Sequence, residues 1–195
     1  MPVFFYPNRP TLIPADPINP MNPSPDYINS LEDSGRYIAE KKYNGDNVLC
    51  YSPTEFWNRH KSKHRYKPTE EVRDELERLP QNAVYNIELV NYRTKTVKQL
   101  LIVHCVMTWK GKPLLGKTWG YSREILENEV QSGRHVVLSP VWKKNFWDLY
   151  QGADGNDIEG IILKKPKGKL VFSATPIKDV PWMLKIRKPS KKYSF

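Results

Sequence analysis

Cysteine and long apolar runs are nearly absent from this sequence. Cys50 and Cys105 are its only cysteines, and their wide separation gives neither the close spacing of a metal knuckle nor a disulfide framework. No stretch approaches the roughly 20 apolar residues that a membrane-spanning helix requires. The first residues lack the charged, apolar and small-residue regions of a signal peptide. The sequence therefore predicts a protein of a reducing, cytoplasmic compartment that has no membrane partner.

Acidic residues become scarce toward the C-terminus. The whole chain has 31 Lys or Arg against 21 Asp or Glu, a net charge of +10. From Lys164 to Phe195 there are ten Lys or Arg and a single acid, Asp179. Such a concentration of positive charge suits a polyanion, because each contacted phosphate releases condensed counterions. Nucleic acid is the predicted partner, and a merely solvated basic tail is the alternative.

The chain of 195 residues has the length of a single domain with one sizeable core. Residues 1–25 hold eight of the 17 prolines and show little periodicity. We therefore expect a Pro-rich N-terminal arm over 1–25, followed by one domain over 26–195 with a basic C-terminal tail. A monomer is expected.

Periodicity and turn residues predict an α+β fold. Helices are expected from Ser24-Pro25 to about Leu31, over 68–79 behind a Thr69 cap, and within 118–133. Strands are expected over 36–39, 48–51, 83–90, 99–109, 136–139, 160–165 and 183–186, with a further short strand at 171–172. The first two strands are interpreted as a hairpin joined by the Asn44-Gly45 turn.

Several charged side chains interrupt or end the apolar strands. Glu88 lies within the run Tyr85, Ile87, Leu89, where a carboxylate is costly unless it is paired or holds a metal. A sheet with one face in water is the alternative. Lys164 and Lys185 present the same difficulty at the ends of their strands.

Six short motifs follow one another in a fixed order along the chain. They are Lys42-Tyr-Asn-Gly45, Asn58-Arg59-His60, Glu88, Val103-His104-Cys105, Glu159-Gly-Ile-Ile-Leu-Lys164 and Lys185-Ile-Arg187. Their order and spacing resemble the six collinear motifs of the covalent nucleotidyltransferase superfamily, which comprises ATP-dependent DNA ligases, RNA ligases and mRNA capping enzymes. The resemblance covers about residues 36–188. It implies an antiparallel-sheet nucleotidyltransferase domain, the adenylation domain of DNA and RNA ligases.

The resemblance makes Lys42 the nucleophile that attacks the α-phosphate of ATP, releases pyrophosphate and forms a lysyl-AMP phosphoramidate. An amine attacks only when it is unprotonated, so cations or desolvation must favour the neutral form. Lys164 and Lys185 can supply that positive surrounding and neutralise the phosphate. Lys41 is the rival nucleophile, but the K-x-N-G spacing selects Lys42. Alternation along a strand places Lys41 on the outside.

The remaining site residues follow from the same resemblance. The implied nucleotide-binding residues are Glu40, Asn44, Gly45, Arg59, Glu88, His104, Lys164, Lys185 and Arg187. Asn44 and Gly45 are expected to form a tight turn, because both residue types tolerate positive φ. The implied metal ligands are Glu88 and Glu159, for Mg²⁺ or Mn²⁺ bound together with ATP phosphates. For Glu40 a solvated strand residue remains the alternative.

Two positions depart from the superfamily pattern. His104 stands where a stacking aromatic is usual, and a core histidine bonded to backbone explains it equally well. Arg187 replaces the usual second lysine of the last motif. Arginine still contacts phosphate, and it does so bidentately, so the function is expected to be kept.

The substrate prediction depends on Asn47. DNA ligases and capping enzymes usually carry arginine at this position, two residues after the motif glycine. The asparagine here makes the motif more similar to that of RNA ligases. That favours an RNA strand. Against it, the segment ending in Tyr121-Ser-Arg-Glu124 resembles a DNA ligase pattern, in which Arg123 contacts phosphate. A helix-surface arginine is the alternative there.

Few residues follow Arg187, so we expect no OB-fold after it. The predicted protein is an ATP-dependent ligase that acts on nicked or single-stranded ends with its own basic surface, or a nucleotidyltransferase that works with a partner. The residues predicted to contact nucleic acid are Arg123, Lys188, Lys191 and Lys192, with disorder as the alternative for the tail. Competing hypotheses are a DNA nick ligase, a capping guanylyltransferase and a noncatalytic nucleic-acid-binding domain. Relatives act inside cells and are often encoded by phage or viruses.

Overall fold

A computed structural model describes residues 6–12, 23–173 and 178–189. Its helices are α1 (Pro25–Asp33), α2 (Glu70–Glu77), α3 (Trp119–Glu129) and α4 (Phe146–Gln151). Its strands are β1 (Tyr6–Pro7), β2 (Arg9–Leu12), β3 (Ile38–Tyr43), β4 (Asp46–Ser52), β5 (Glu55–Trp57), β6 (Val84–Val90), β7 (Leu100–Trp109), β8 (Lys112–Pro113), β9 (Val136–Leu138), β10 (Ile158–Lys164), β11 (Phe172–Ser173) and β12 (Asp179–Arg187). Within these ranges no helix combines the length and apolarity needed to cross a membrane.

The chain divides into two compact units. Among the described residues, the first unit contains 6–8, 45–139, 169–173 and 178, and the second contains 9–12, 23–44, 140–168 and 179–189. The predicted boundary between an arm over 1–25 and a domain over 26–195 stays a prediction, because 1–5 and 13–22 lie outside the described residues.

The second unit is built on a sheet with the strand order β2-β12-β10-β3. Strand β10 runs antiparallel to both β3 and β12, whereas β2 runs parallel to β12. Helices α1 and α4 cover one face of this sheet with Ile28, Phe146 and Tyr150. The strand residues of this core are Ala39, Ile161, Leu163, Leu184 and Ile186. Full burial of each large apolar side chain contributes about 1.5–3 kcal/mol.

The first unit is built on a sheet with the order β5-β4-β6-β7-β8, and β9 pairs in parallel with β7. Helix α3 is fixed to this sheet by Ser122, whose hydroxyl accepts from the Val106 N–H (2.8 Å) and donates to the Val106 carbonyl (3.0 Å). Helix α2 is fixed by Glu75, whose carboxylate accepts from the backbone N–H groups of Arg134, His135 and Val136. These bonds satisfy backbone groups that the sheet leaves unpaired.

The predicted α+β class and its mainly antiparallel sheets are confirmed. The three long apolar runs are β6, β7 and β10. Ser24 caps α1 by accepting from the Tyr27 N–H, and Thr69 precedes α2 without a side-chain cap bond. Sequence patterns missed the short elements β5 and α4, as well as the parallel pairings of β2 and β9.

The hairpin expected around Asn44-Gly45 is wrong. Strand β3 pairs with β10, and β4 pairs with β5 and β6. The backbone groups at the junction find other partners, since the Asn44 N–H donates to the Asp157 carbonyl and the Gly45 N–H donates to Glu88. Neither Asn44 nor Gly45 adopts positive φ. The two residues therefore do not form the predicted tight turn of a hairpin.

Candidate functional site

The charged motif residues of the second unit share one face of its sheet. Directly paired residues on neighbouring strands point to the same side. Gly160 is opposite both Lys42 and Arg187, while Ile162 is opposite both Glu40 and Lys185. Lys164 follows two residues after Ile162, so it belongs to the same face. Three strands that are distant in sequence thus bring together Glu40, Lys42, Lys164, Lys185 and Arg187.

A β-bulge adds Glu159 to this face. Ile158 pairs with Tyr43 and Gly160 pairs with Lys42, so Glu159 is an extra residue in β10. Regular alternation would send Glu159 and Gly160 to opposite faces. A bulge re-aims a side chain in this way, and bulges are common beside active sites.

The carboxylate of Glu159 holds two cations together. Its Oε2 atom forms an ion pair with Lys42 Nζ and lies 3.2 Å from Arg187 Nε. The Glu159 side chain is 7% exposed and that of Lys42 is 16% exposed. Poor hydration strengthens the attraction between these charges, because less water screens them. The lysine of the K-x-N-G motif is thus held at a fixed position by a carboxylate from the E-G-x-x-x-K motif.

Glu40 and Lys164 form a second, fully buried ion pair on the same face. Lys164 Nζ donates to Glu40 Oε1 at 2.8 Å, and the two side chains are 7% and 0% exposed. Removing one partner of such a pair costs about 3–5 kcal/mol, because the other charge is left buried and uncompensated. Their assignment to nucleotide binding stays a prediction.

Lys185 is the third lysine of this face, and its pKa lies below the usual lysine value. Burial is the main cause, since it penalises the ammonium form. The positive charges of Arg187, Arg9 and Lys42 lower the pKa of Lys185 further, while Asp179 opposes them. A cluster of cations around Lys42 and Lys185 is an environment that attracts phosphate.

Lys41 lies on the other face of β3. It is opposite Ile161, a residue of the apolar core, and its Nζ atom is 5.6 Å from the ring centre of Trp142. A cation over an indole face is attracted by the ring quadrupole. Lys41 is therefore separated from the Glu159 cluster even though it is adjacent to Lys42 in sequence.

In the first unit, Gly45 is required by close packing. A Cβ atom at this position would lie 2.7 Å from the Leu89 carbonyl oxygen and 2.8 Å from Glu88 Cγ. Real Cβ atoms essentially never approach other atoms so closely. The glycine instead lets its own N–H reach Glu88 Oε1 at 3.1 Å. The close approach of Glu88, and not positive φ, thus explains why glycine occupies this position.

Glu88 also belongs to a hydrogen-bonded network that includes Asn47. Asn47 is opposite Glu88 in the sheet and donates to its Oε2 atom at 3.3 Å. Asn47 Oδ1 accepts from Asn86 Nδ2 (2.9 Å) and from the Tyr6 hydroxyl (2.7 Å). Burial, helped by the charge of Glu88, raises the pKa of Tyr6, so the phenol remains a donor.

Sequence reasoning missed Tyr6 and Asn86. The only available signal for Asn86 was an amide within a buried strand, and such a group needs a partner. Nothing in the proline-rich segment distinguished Tyr6.

The other predicted site residues are placed individually. Arg59 is exposed, with its Nε 3.2 Å from His60 Nε2, and His104 lies half-buried in β7. Arg123 donates to Glu127 Oε1 and to the Ser139 carbonyl, and its side chain is only 11% exposed. Lys188 lies over the Tyr150 ring at 4.8 Å. The roles of these residues stay predictions, and Lys191 and Lys192 lie outside the described residues.

Within the described ranges, no group of three or more His, Cys, Asp or Glu side chains could hold a metal ion. Mg²⁺ usually takes one or two protein carboxylates together with waters and substrate phosphates. Glu159 in the second unit and Glu88 in the first are each a carboxylate of this kind, and their roles as metal ligands stay predictions.

The fold is that of ligase nucleotidyltransferase domains. A structure of a Lig E DNA ligase, from work on DNA binding with a minimal scaffold, has a TM-score of 0.57 at 12% identity and covers 79% of this chain and 62% of that chain. The ligase domain of LigD from M. tuberculosis has a TM-score of 0.56 at 14% identity, over 77% and 53% of the two chains. A mycobacterial DNA ligase D complexed with ATP and MES has a TM-score of 0.52 at 13% identity, over 77% and 54%.

The chain spans between about half and three fifths of the length of these solved structures. No protein-family model matches the sequence. No curated protein matches it either. The expected fold is thus confirmed by structure, at identities where the likeness concerns the fold alone.

Proposed function

We propose that this chain is the adenylyltransferase part of an ATP-dependent polynucleotide ligase. The observation that carries the proposal is the single carboxylate, Glu159, that holds both Lys42 and Arg187 on the face that also carries Lys185. A nucleophilic lysine must be fixed in position, and an attacked phosphate needs nearby cations. In one sheet, Glu159 fixes the position of Lys42, and Lys185 and Arg187 supply the cations.

In the first step Lys42 Nζ forms a bond to the α-phosphorus of ATP, the bond from that phosphorus to the pyrophosphate oxygen breaks, and pyrophosphate leaves. Lys42 must first lose a proton from its ammonium group. Glu159 Oε2 contacts the Lys42 ammonium, so this ion pair opens and the proton passes to water before the amine attacks. Lys185 and Arg187 offset the negative charge that develops on the phosphoryl oxygens.

Mg²⁺ held by Glu159 and ATP phosphates would add further neutralisation of the triphosphate. The assignments of Arg59, Glu88 and His104 to nucleotide binding, and of Glu88 to the metal, are carried over from the superfamily motifs.

In the later steps AMP passes to a 5′-phosphate end, and a 3′-hydroxyl attacks that end and releases AMP. Asn47 supports a preference for an RNA strand, since the motifs of RNA ligases have asparagine at this position. A DNA nick ligase is the second candidate. It is supported by the fold comparison, because two of the three solved structures described above are named as DNA ligases.

Self-labelling with α-labelled ATP tests the first step. We expect an acid-labile label on the wild-type protein in the presence of Mg²⁺, and none on Lys42→Ala. Lys41→Ala is the matched control, because it removes the adjacent lysine from the opposite face, and it should label like wild type. Label that survives Lys42→Ala, or no label on wild type with either ATP or GTP, would falsify the proposal.

Sealing of nicked duplexes with DNA or RNA on each strand tests the substrate. Faster sealing where the nicked strand is RNA supports the preference assigned to Asn47. Equal or faster sealing of an all-DNA nick favours the second candidate instead.

A further inference from the structure

A strongly basic surface lies on the first unit, among residues to which the proposed reaction gives no role. It is formed by Lys61, Lys63, Arg65, Lys67, Arg93 and Lys95, which we call the loop surface. These residues come from two segments, 61–67 after β5 and 91–98 between β6 and β7, and neither segment contains an acidic residue. All six side chains belong to exposed residues.

Contacts between the two segments hold the loop surface together. The guanidinium carbon of Arg65 lies 4.5 Å from the ring centre of Tyr92, and the ring of His64 lies 6.0 Å from the same ring. His64 and Arg93 both contact the carboxylate of Asp46, at 3.5 and 2.9 Å. The six cations therefore lie on segments that are in contact with each other.

Both segments are also anchored to the interior. The buried Tyr66 packs edge-on against Phe56, and the His64 N–H donates to the Phe56 carbonyl at 2.7 Å. In the other segment, Lys98 Nζ donates to the carbonyl oxygens of Asn91 and Thr94. Lys98 is thus used internally, whereas the loop surface faces outward from a fixed backbone.

Little negative charge is available to neutralise the loop surface. Asp46 pairs with Arg93, but in the part of the chain that the structure describes no ion pair reaches Lys61, Lys63, Arg65 or Lys67. Like charges on one fixed surface repel one another unless an anion lies between them. This favours a ligand with several regularly spaced negative charges.

Aromatic rings accompany these cations. Tyr92 is 42% exposed beneath Arg65, and Lys63 Nζ lies 5.9 Å from the ring centre of Trp57. Exposed rings beside basic side chains are typical of surfaces that bind nucleic-acid strands, where cations contact phosphates and rings stack on sugars or bases.

We propose that the loop surface binds the sugar-phosphate backbone of nucleic acid. The loop surface does not include Arg123 or Lys188, and its binding requires no adenylation of Lys42. It would hold the strand while the reaction takes place elsewhere in the protein. The affinity comes from contacts between the protein's cations and the phosphates, and not from contacts with base edges, so little sequence preference is expected.

The test measures binding of a fluorescent nicked duplex by anisotropy at several KCl concentrations, without ATP. The variant Lys61→Gln/Lys63→Gln/Arg65→Gln should bind at least about tenfold more weakly at 100 mM salt. The slope of log K against log salt should fall by roughly 0.9 for each phosphate that the variant no longer neutralises, thus by up to about 2.7. Tyr92→Leu should weaken binding while leaving the salt slope unchanged.

The matched control is Arg78→Gln/Lys110→Gln/Lys112→Gln, which removes the same number and kinds of exposed charges from the same unit. Its affinity should stay within about twofold of wild type if binding is localised. Equal reductions of affinity in both triple variants, or an unchanged affinity in the loop-surface variant, would overturn the proposal. Stronger binding to phosphatidylserine vesicles than to the duplex would overturn nucleic acid as the partner.

The proposed ligase chemistry is tested separately in the same preparations. The loop-surface variant should still label Lys42 at the wild-type rate, since none of its three substitutions is at a residue to which the proposed reaction gives a role. A labelled protein whose duplex affinity is unaffected by the variant contradicts the loop surface alone. An unlabelled wild-type protein that binds the duplex through these residues contradicts the ligase proposal alone.

Discussion

Substitution of Gly160 by alanine is expected to destabilise the protein severely. Gly160 has φ +150, which L side chains rarely adopt, and it lies directly after the bulged Glu159. A Cβ atom on this backbone would lie 2.0 Å from the Ile186 carbonyl oxygen and 3.0 Å from Arg187 Cα. Both neighbours are backbone atoms of β12, so no side-chain rotation relieves the overlap. The β10–β12 pairing must shift.

The size of the effect follows from two contributions. A sparsely populated backbone conformation costs about 1–3 kcal/mol, and overpacking of a close contact costs about 1–3 kcal/mol. Together they lower the free energy of unfolding by about 2–6 kcal/mol. With a urea dependence near 2 kcal/mol per M, the unfolding midpoint should fall by about 1–3 M.

Gly152→Ala is the control for this substitution. Gly152 ends α4 in an ordinary helical conformation with φ −69, and its added Cβ would meet nothing closer than 3.4 Å. Its midpoint should change by no more than about 0.5 M, because the stability change stays within about 1 kcal/mol. The steric reasoning is refuted if Gly160→Ala and Gly152→Ala unfold at the same urea concentration.

Two further predictions concern the first unit. Tyr6→Phe should lower the free energy of unfolding by about 1–2 kcal/mol, because the half-buried side-chain and backbone oxygens of Asn47 lose a donor; additive effects in a double-mutant cycle with Asn47→Ala would contradict this. Partial burial raises the pKa of Glu75, but three backbone donors outweigh it, so the pKa lies below its usual value. Glu75 therefore contributes stability that is present above about pH 4.3 and is lost as the pH falls through the lowered pKa. Glu75→Gln should weaken this dependence of the free energy of unfolding on pH. If the free energy of unfolding falls equally steeply between pH 5 and 3 in the variant and in the wild-type protein, Glu75 does not contribute in this way.

Much of the fold could be predicted from local patterns. Apolar runs gave β6, β7 and β10, and helical spacing of Val72 and Leu76 gave α2, because burial follows these periodicities directly. Strand pairing could not be predicted in the same way. The Asn44-Gly45 pair suggested a hairpin, but each flanking strand gains more by joining a larger apolar sheet, and no local signal reports such a distant partner.

For the candidate site, too, the sequence identified residues but did not predict all of their contacts. Motif order pointed to Lys42, Glu159 and Arg187, and the sheet register places them together. The buried pairing of Glu40 with Lys164 was not predicted, since a contact between residues far apart in sequence leaves no periodic trace. Tyr6 was missed for a related reason, because its role depends on where the segment before β2 lies.

Gly160 explains why the motif needs glutamate followed by glycine. Regular alternation would place the side chain of residue 159 on the apolar face, where an unpaired carboxylate is costly. The bulge turns Glu159 to the charged face, and only glycine readily adopts the φ of +150 that accompanies it. Gly160 is also opposite both Lys42 and Arg187, and the absence of a side chain lets the β12 backbone approach closely, because a Cβ would lie 2.0 Å from the Ile186 carbonyl oxygen. One glycine thus directs the Glu159 carboxylate toward Lys42 and permits the close β10–β12 pairing that brings Arg187 to the same carboxylate.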